Sequence, residues 1–289
     1  MKPDAFESYR GKRAVLATMH AKERVIAPIL REGMGLLVET VPKFDTDRFG
    51  TFSREIERTG SQLDAARAKI AAAFERVPEI DLAIASEGSF GPHPFIPLLP
   101  LGREIVLLTD RKTGLEIIGL DASPHVTFDH AVVSSQEAAN AFAARIGFPE
   151  HGLIMMGCIG DKPSTSIALI KNIRSSRELE RSVEHVIGLC GLAFLQTDMR
   201  AHRNPTRMTA IERATKNLVH RFHNRCPGCG YPGYDIAERV SGLPCARCGL
   251  PTQVIQYDVS KCTKCGYSVR QLATTNTSAD PGHCANCNP

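Results

Sequence analysis

Four Cys-x-x-Cys pairs in the carboxyl-terminal part of this chain have the clearest chemistry. Eight of the ten cysteines lie in the last 64 residues, with fifteen residues between the first two pairs and eighteen between the last two. Two such pairs complete the tetrahedral thiolate shell that Zn²⁺ prefers, so the spacing predicts two structural zinc ions in two zinc ribbons. The predicted ligands are Cys226, Cys229, Cys245, Cys248, Cys262, Cys265, Cys284 and Cys287.

The combination of the pairs follows less directly from their spacing. We expect neighbouring pairs to share an ion, the first with the second and the third with the fourth, while an interleaved pairing stays open. A disulfide framework and an iron-sulfur cluster compete with zinc. The rest of the chain holds only Cys158 and Cys190, both in apolar runs, and its first residues carry no signal region. This favours structural zinc, and a site closed by four cysteines leaves catalysis to the upstream residues.

The charge balance gives nucleic acid little general attraction. The formal net charge is +4, but two Zn²⁺ ions bound by eight thiolates add about four negative charges, which brings the total near zero. No apolar run is long enough to cross a membrane, so we expect a cytoplasmic protein with no membrane partner. Residues 196–225 are locally basic, which indicates either an anion site or a solvated helix face.

The elements upstream of the cysteines follow an α/β pattern. An apolar run at 13–19 predicts a strand that leads into a helix, 35–41 predicts a second strand, and 61–76 an Ala-rich helix. A short buried strand at 81–85 precedes a Gly/Pro-rich stretch, SEGSFGPHPFIPLLP, which we expect to be a loop.

The second half of that region continues the pattern. The runs EIVLLTD and LEIIGLD predict a β-hairpin, and 152–157 predicts a further strand. Ser134 and Ser175 each begin a capping-box pattern before a helix, and a last helix is expected from Pro205 to about Phe222. The fold class is therefore α/β, with a mixed sheet and flanking helices over residues 1–222, followed by two small four-cysteine zinc ribbons over residues 223–289.

Polar clusters after the predicted strands are the places to look for a ligand, because α/β sheets bind ligands at the carboxyl ends of their strands. The first cluster contains Thr18, His20 and Lys22 at a strand end and a helix start, where phosphate groups are readily bound. The second contains Glu87 among glycines, and such a carboxylate suits Mg²⁺ or an ordered water. A capped helix and a structural turn explain these two clusters without a ligand.

The third cluster spans residues 197–207 and has more hydrogen-bonding side chains than a helix cap requires. Arginine offers a planar donor fork to phosphate, while asparagine and histidine suit a base edge. A structural network in which an arginine pairs with Asp198 is the alternative. The candidate ligand-binding residues here are Asp198, Arg200, His202, Arg203, Asn204 and Arg207.

The whole chain resembles an uncharacterised bacterial family of unknown function with carboxyl-terminal zinc ribbons. The segments ATMHAKERVIAPIL, FDTDRFGTFSREI, ASEGSFGPHP, TDMRAHRNPTRM and CANCNP carry that resemblance. It is specific to this chain's motifs and implies no activity.

Residues 13–148 also distantly resemble the inosine/xanthosine triphosphate pyrophosphatase superfamily. Those enzymes have a strand, a T-x-N-x-x-K loop, an Ala-rich helix with a central Lys or Asn, and a strand that ends in an acidic residue and glycine before a hairpin. The matching positions are Thr18, His20, Lys22, Lys69 and Glu87. His20 replaces the usual Asn, Lys22 comes one position early, and Ser86-Glu87 stands in place of paired aspartates. The late His-Arg pair that contacts the base in that superfamily matches His202-Arg203.

These observations favour an enzyme that hydrolyses a nucleotide or a related phosphate compound with Mg²⁺. In that hypothesis the catalytic residues are Glu87, Lys22 and Asp198. Glu87 holds the metal or orients water, phosphate is held by Lys22, Lys69 and Arg203, and Asp198 or His202 helps to position the substrate. The alternative is a non-catalytic zinc-ribbon protein that binds nucleic acid or a protein partner. A scaffold that self-associates into an oligomer is a third reading. The expected substrate-binding set is Thr18, His20, Lys69, Arg200, His202, Arg203, Asn204 and Arg207.

Overall fold

A computed structural model describes residues 5–50, 60–94 and 96–289. They form two compact units: an α/β unit, Tyr9–Val219, and a cysteine unit, which is the described part of Met1–Ser8 together with His220–Pro289. Within the described ranges, no helix has the length and apolar character that a membrane span requires. Part of the motif FDTDRFGTFSREI lies outside the described residues.

The helices and strands follow the chain in a mixed order. The helices are α1 (Ala5–Tyr9), α2 (Glu23–Met34), α3 (Gln62–Arg76), α4 (Gln136–Arg145), α5 (Ser176–Cys190) and α6 (Pro205–His223). The strands are β1 (Arg13–Ala17), β2 (Leu37–Thr40), β3 (Leu82–Pro92), β4 (Pro100–Asp110), β5 (Leu115–Ser123), β6 (His130–Val133), β7 (Leu153–Ile159), β8 (Lys162–Ile173), β9 (Ala193–Thr197), β10 (Asp235–Ser241), β11 (Ile255–Lys261) and β12 (Ser268–Leu272).

A five-stranded mixed sheet in the order β2-β1-β3-β4-β5 forms the first half of the α/β unit. Strand β1 pairs in parallel with β2 and β3, and the crossovers are α2 and α3. Strands β3, β4 and β5 then form an antiparallel meander. The mixed sheet and the hairpin of β4 and β5 that the sequence predicts are confirmed.

Residue parity along the strands separates the two faces of this sheet, because neighbouring side chains point to opposite faces. Val15, Ala83 and Leu107 share one core cluster with Ala66 and Ile70 of α3, which defines the α3 face. The alternate residues form the opposite face. A Cβ on Gly119 there would lie 2.0 Å from the Ala214 carbonyl oxygen of α6, so we call it the α6 face.

A four-stranded antiparallel sheet in the order β6-β9-β7-β8 completes the α/β unit. Helices α4 and α5 pack on one of its faces. Ser175 caps α5 as predicted, since its hydroxyl accepts a hydrogen bond from the Glu178 amide. The cap predicted at Ser134 is wrong by one residue: Ser135 accepts from the Ala138 amide instead. The sequence analysis predicted only β7 of this sheet.

The loop predicted at SEGSFGPHPFIPLLP is also wrong for most of its length. Strand β3 continues through Pro92 and β4 begins at Pro100, so Glu87 lies inside a strand. The two strands pair in unbroken register from Leu82 with Asp110 to Pro92 with Pro100. Glycines and prolines suggested a loop, but the ladder with β4 supplies the hydrogen bonds that make an extended strand stable.

Strands β10, β11 and β12 form a three-stranded antiparallel sheet in the cysteine unit. Each Cys-x-x-Cys pair lies in a turn outside these strands. Two four-cysteine clusters and this small sheet are consistent with the predicted zinc ribbons.

Candidate functional site

The cysteine unit contains two clusters of four thiols. Cys226, Cys229, Cys262 and Cys265 form one, and Cys245, Cys248, Cys284 and Cys287 form the other. The pairing between neighbours is therefore wrong, and the interleaved alternative is correct: the first pair combines with the third and the second with the fourth. Each chain segment between two pairs of one cluster contains a pair of the other, so the two clusters are interleaved along the chain.

The sulfur positions in both clusters match a tetrahedral ion. The Sγ–Sγ distances are 3.6 Å for Cys226–Cys265 and 3.7 Å for Cys229–Cys262. In the second cluster Cys248–Cys284 is 3.6 Å and Cys245–Cys287 is 3.9 Å. A zinc tetrathiolate with Zn–S near 2.3 Å has edges of about 3.8 Å, whereas a disulfide requires about 2.05 Å. The residues present therefore fit Zn²⁺.

The first three pairs share one turn geometry. The amide of the first cysteine donates to a carbonyl five residues later, and its own carbonyl accepts from the glycine four residues later. Gly230, Gly249 and Gly266 take φ values of 71°, 74° and 75° in that position. This left-handed conformation suits glycine, so the repeated C-x-x-C-G pattern has a backbone cause. The fourth pair has Asn288 there instead.

The three polar clusters predicted in the α/β unit meet through a few contacts. Lys22 of the first cluster donates to the Ser86 hydroxyl, 2.9 Å away, and to the Ser86 carbonyl oxygen at 3.1 Å. His20 stacks on His202 of the third cluster with ring centroids 5.1 Å apart. The segments that follow β1 and β9 are thereby brought together, as the strand-end argument predicts, but Lys22 meets β3 at its middle rather than at its carboxyl end.

Lys22 is buried, with 5% of its surface exposed. Burial lowers the pKa of its ammonium to about 7, and the nearby cations Arg207 and Lys69 lower it further, against the opposing effect of Glu87 and Glu104. A lysine in this environment is partly neutral at physiological pH. Its amine is then able to accept a proton as well as donate one.

A buried ion pair links the third cluster to the sheet. Arg207 Nε of α6 donates to Glu104 Oε1 of β4 at 2.5 Å, and the two side chains expose 2% and 1% of their surface. Arg207 also donates to the Met199 carbonyl, and Asn204 Oδ1 accepts from the Arg207 amide. A Cβ on Gly88 would lie 2.6 Å from Glu104 Oε1 and 2.7 Å from Arg207 Nη2. Only glycine fits beside this pair.

Glu87 lies on the other side of the same sheet. It forms an ion pair with Lys69 of α3, and both side chains are buried. Glu87 pairs in register with Ile105, a residue of the α3-face core. Ser86 therefore points to the α6 face and Glu87 to the α3 face. The sequence left open whether Glu87 and the third cluster form one site, and strand alternation places Glu87 on the face opposite to Ser86 and its contact with Lys22.

Asp198 is fully buried and is bound by Arg200. The Arg200 amide and Nε donate to Asp198 Oδ1 at 3.0 Å, and Nη2 donates to Oδ2 at 2.6 Å. Arg200 Nη2 also reaches Asn172 Oδ1 at 3.0 Å. The network that the sequence analysis weighed as an alternative is present, so Asp198 orients Arg200 and has no free face for a proton-transfer role in this arrangement.

Arg203 differs from Arg200. Its Nε and Nη2 atoms are buried, and neither has a hydrogen-bond partner among the described residues. The pKa of the adjacent His202 is lowered by partial burial, by His20 and by the cationic Arg200. An anion would satisfy the guanidinium donors of Arg203, and it would also be favoured by the positive field at His202.

Two strained backbone positions border this region. Ala21, between His20 and Lys22, has φ 57°, and Asn172, which binds Arg200, has φ 64°. Non-glycine residues adopt this conformation rarely, and such strain concentrates at ligand sites. Thr18 and Ala21 also line a cavity of about 560 Å³ at the carboxyl ends of β1 and β2, a size that suits a small ligand.

The described residues do not offer a ready Mg²⁺ site. The two cysteine groups are the only sets of three or more metal-ligating side chains that the described residues bring together. Glu87 is neutralised by Lys69, and Glu104 by Arg207. A divalent cation at this site would therefore have to arrive with the phosphates of a ligand.

Sequence reasoning missed Glu104 as a member of the site, and it named Ser86 without giving that residue a role. Glu104 shares the alternation of Val106 and Leu108 on the buried face of β4. A carboxylate in that register is the signal that would have found it, because a buried charge requires a partner.

The chain belongs to the family described as Domain of unknown function (DUF6671), whose model matches residues 69–289, more than half of the chain. The match includes Glu87, Glu104, Arg207 and all eight metal-ligating cysteines. No curated protein matches the sequence.

Double substitutions test the interleaved zinc pairing. Cys226→Ser with Cys262→Ser removes two ligands of one cluster, so we expect one zinc ion per chain to remain. Cys226→Ser with Cys245→Ser damages both clusters, so we expect both ions to be lost. Zinc per chain is measured by elemental analysis, with Cys158→Ser/Cys190→Ser as the control that keeps two ions. Neighbour pairing gives the opposite result for the two test variants.

Gly88→Ala should destabilise the α/β unit by about 3 kcal/mol, because its methyl group would displace the buried Arg207–Glu104 pair. Gly91→Ala is the matched control in the same strand, since no described atom lies within 4 Å of its Cβ. Denaturant unfolding followed by circular dichroism measures both. Equal stability of the two variants would contradict the close packing at Gly88.

Lys22→Met should change how stability depends on pH. The folded pKa of Lys22 is about 7 and the unfolded value is about 10.4, so the unfolded chain binds more protons between these pH values. The free energy of unfolding of the native protein therefore rises with pH across that window, by at most about 1.4 kcal/mol per pH unit, because the cost of burying a charged Lys22 is relieved.

We expect Lys22→Met to be most stabilising relative to the native protein near pH 7 and progressively less so towards pH 10. Unfolding free energies at several pH values measure this difference. Lys112→Met, at an exposed turn position, is the control. A pH-independent difference for Lys22→Met would show that the amine titrates normally.

Proposed function

We propose that the α/β unit of this DUF6671 protein binds a phosphate-bearing small molecule, such as a nucleotide, and hydrolyses it. The observation that carries the proposal is the surplus of buried or half-buried cations where the three polar clusters meet. Lys22 and Arg203 have no carboxylate within ion-pair distance among the described residues, whereas the carboxylates nearest to them are bound by other cations. An anion supplies the missing counter-charge.

Arg203 and the stacked imidazoles of His20 and His202 are the proposed phosphate-binding groups. A guanidinium matches the geometry of phosphate oxygens and forms strong charge-assisted hydrogen bonds with them. Arg200 is held in place by Asp198 and Asn172, so it presents its charge without having to be ordered by the ligand. Pre-ordered cations lower the cost of binding and of stabilising a charged transition state.

Lys22 is the proposed proton acceptor. In its neutral form it is able to take a proton from the water whose oxygen attacks phosphorus, while the bond from phosphorus to the leaving oxygen breaks. A pKa of about 7 is close to the value that serves a general base at neutral pH. Glu87 acts through the electrostatic field, since its charge raises the pKa of Lys22. Mg²⁺ would accompany the ligand phosphates and spread their charge.

Thr18 and Asn204 complete the set as positioning residues. Thr18 Oγ1 accepts from the His20 amide at 3.4 Å and so holds the loop after β1. Asn204 begins α6 by accepting from the Arg207 amide and is bound by Thr127 Oγ1. Both residues are more than nine-tenths buried, so their proposed role is to hold the neighbouring ligand-binding residues in position. Lys69 holds the Glu87 side chain on the α3 face by forming an ion pair with it.

The first experiment incubates the zinc-loaded protein with Mg²⁺ and a panel of standard and deaminated nucleoside triphosphates and measures phosphate and pyrophosphate. We expect release of one of the two, at least tenfold weaker in Arg203→Gln than in the control Arg177→Gln, which changes an exposed arginine of α5. Glu87→Gln should lower the rate and move the acidic limb of the pH profile to lower pH, because it lowers the pKa of Lys22. Glu116→Gln, at an exposed ion pair with Arg67, should do neither.

Anion binding is read separately from hydrolysis. Pyrophosphate bound near His202 should raise the pKa of that imidazole, which NMR titration detects with chloride as the control. No product from any nucleotide and no shift at His202, with zinc content and folding intact, would overturn the proposal.

One observation favours a second function, partner binding by the cysteine unit. Arg270 lies over the Tyr257 ring at 3.7 Å, and Lys264 lies over Tyr231 at 4.5 Å. Cations stacked on aromatic rings also occur where proteins bind single-stranded nucleic acid. Oligonucleotide binding that weakens steeply with salt would support that function, and binding that does not respond to salt would argue for a protein partner.

A further inference from the structure

The pocket around Glu104 carries an acceptor that the protein itself does not use. Glu104 exposes 1% of its surface. Its Oε1 binds Arg207, but its Oε2 is buried and has no hydrogen-bond partner among the described residues. Leaving a buried carboxylate oxygen without a donor is costly, so something outside the chain is expected to satisfy it.

Glu104 lines a small pocket on the α6 face of the sheet. Its wall includes the Phe90 ring, the backbone at Gly102, and Ala210 of α6. Phe90 is stacked with Phe128, with ring centroids 6.3 Å apart, and Arg207 lies over Phe90 at 5.4 Å. The enclosed space is about 10 Å³, enough for one donor group or one water molecule.

Two other polar residues of the pocket, Asn204 and Asp121, are already engaged. Asn204 exchanges hydrogen bonds with Thr127 Oγ1 and binds Met199 Sδ. Asp121 is held by two bonds from Arg213. The pocket therefore combines apolar and aromatic contact with a carboxylate oxygen, Glu104 Oε2, that has no donor among the described residues.

We propose that this pocket reads an N–H donor on the edge of a planar heterocycle, with Glu104 Oε2 as the acceptor and Phe90 as the flat wall. A heterocycle edge supplies one donor to fill the small space while the ring plane lies along the aromatic wall. The hydrogen bond from Arg207 fixes the orientation of the Glu104 carboxylate, so the acceptor is positioned before the ligand arrives. The inference rests on the proposed function only for the phosphate-bearing part of the ligand.

The unsatisfied Oε2 of Glu104 would allow the pocket to discriminate between ligands with and without a hydrogen-bond donor. A ligand with a donor at the right position satisfies Glu104, whereas an analogue without that donor leaves it buried and unpaired. Sites built in this way reject the analogue by large factors. The pocket would thus choose among heterocycles by their hydrogen-bond donors, while the cations near His202 bind the phosphate.

The test measures binding of nucleosides that lack phosphate by calorimetry, so that it is independent of hydrolysis. Adenosine is compared with purine riboside, which lacks the amino group, and inosine with N1-methylinosine, which lacks the ring N–H. We expect at least one donor-bearing nucleoside to bind tenfold or more tightly than its matched analogue. Equal affinities, or no binding of any nucleoside at millimolar concentration, would overturn the proposal and leave an internal water molecule as the occupant.

Two variants separate the acceptor from a general effect on folding. Glu104→Gln is able to turn its amide N–H₂ towards the pocket while its oxygen still binds Arg207, so the preference should reverse in favour of the analogue that lacks the donor. Ala210→Leu fills the pocket without altering Glu104 and should weaken all nucleosides tenfold or more, whereas Thr209→Leu, at an exposed neighbour, should not. Zinc content and thermal unfolding confirm that each variant is folded.

The outcomes also separate this inference from the proposed function. Donor-dependent nucleoside binding without any nucleotide hydrolysis would keep the Glu104 pocket and reject the hydrolase. Nucleotide hydrolysis without selectivity for a donor-bearing nucleoside would keep the hydrolase and reject the Glu104 pocket.

Discussion

The geometry of the candidate site depends on the buried ion pair of Arg207 and Glu104. Placing both charges away from water has a large desolvation cost, which only close and well-oriented hydrogen bonds offset. Arg207 therefore has little freedom: one donor goes to Glu104 and another to the Met199 carbonyl. The pair fixes the start of α6 against β4, and with it the segment from Met199 to Arg207.

That segment carries the groups that an anion would contact. Because Met199 and Arg207 are held at its two ends, His202 and Arg203 are placed between them in a short turn. His202 in turn stacks on His20 from the end of β1. The long hairpin of β3 and β4 thus acts as the frame on which residues from distant parts of the chain are brought together. Gly88 is the point in β3 where that frame has no room for a side chain.

The cysteine residues and several elements were predictable because their signals are local. Ligand type and the turn glycines follow from the C-x-x-C-G repeats, and Pro205 marks the start of α6. The zinc pairing was not predictable, since spacing allowed both combinations and the choice depends on how the strands between the turns fold back. Local signals also misled at β3, where Gly88 and Gly91 suggested a loop but the tertiary contacts with β4 and α6 decided the conformation.

The positions of the residues predicted to be catalytic were not predictable in the same way, because the alternation of side chains along β3 was not considered. Ser86 and Glu87 are adjacent in sequence, yet alternation places one beside Lys22 and the other beside Lys69. Side chains alternate between two faces only in a strand. Because this part of β3 was predicted to be a loop, the separation of Ser86 from Glu87 was not predicted.

The two faces remain coupled by charge. Glu87 and Lys69 both influence the pKa of Lys22 from the far side of the sheet, and a low-dielectric interior transmits such effects over the thickness of one strand. The Lys69–Glu87 pair is neutral as a whole, so its effect on Lys22 depends on which partner lies nearer and on whether both stay ionised. The α3 face would therefore set the proton affinity of a group on the α6 face without touching its ligand. In the proposed function, this arrangement would let one sheet adjust the pKa of the base from one face and bind the substrate on the other.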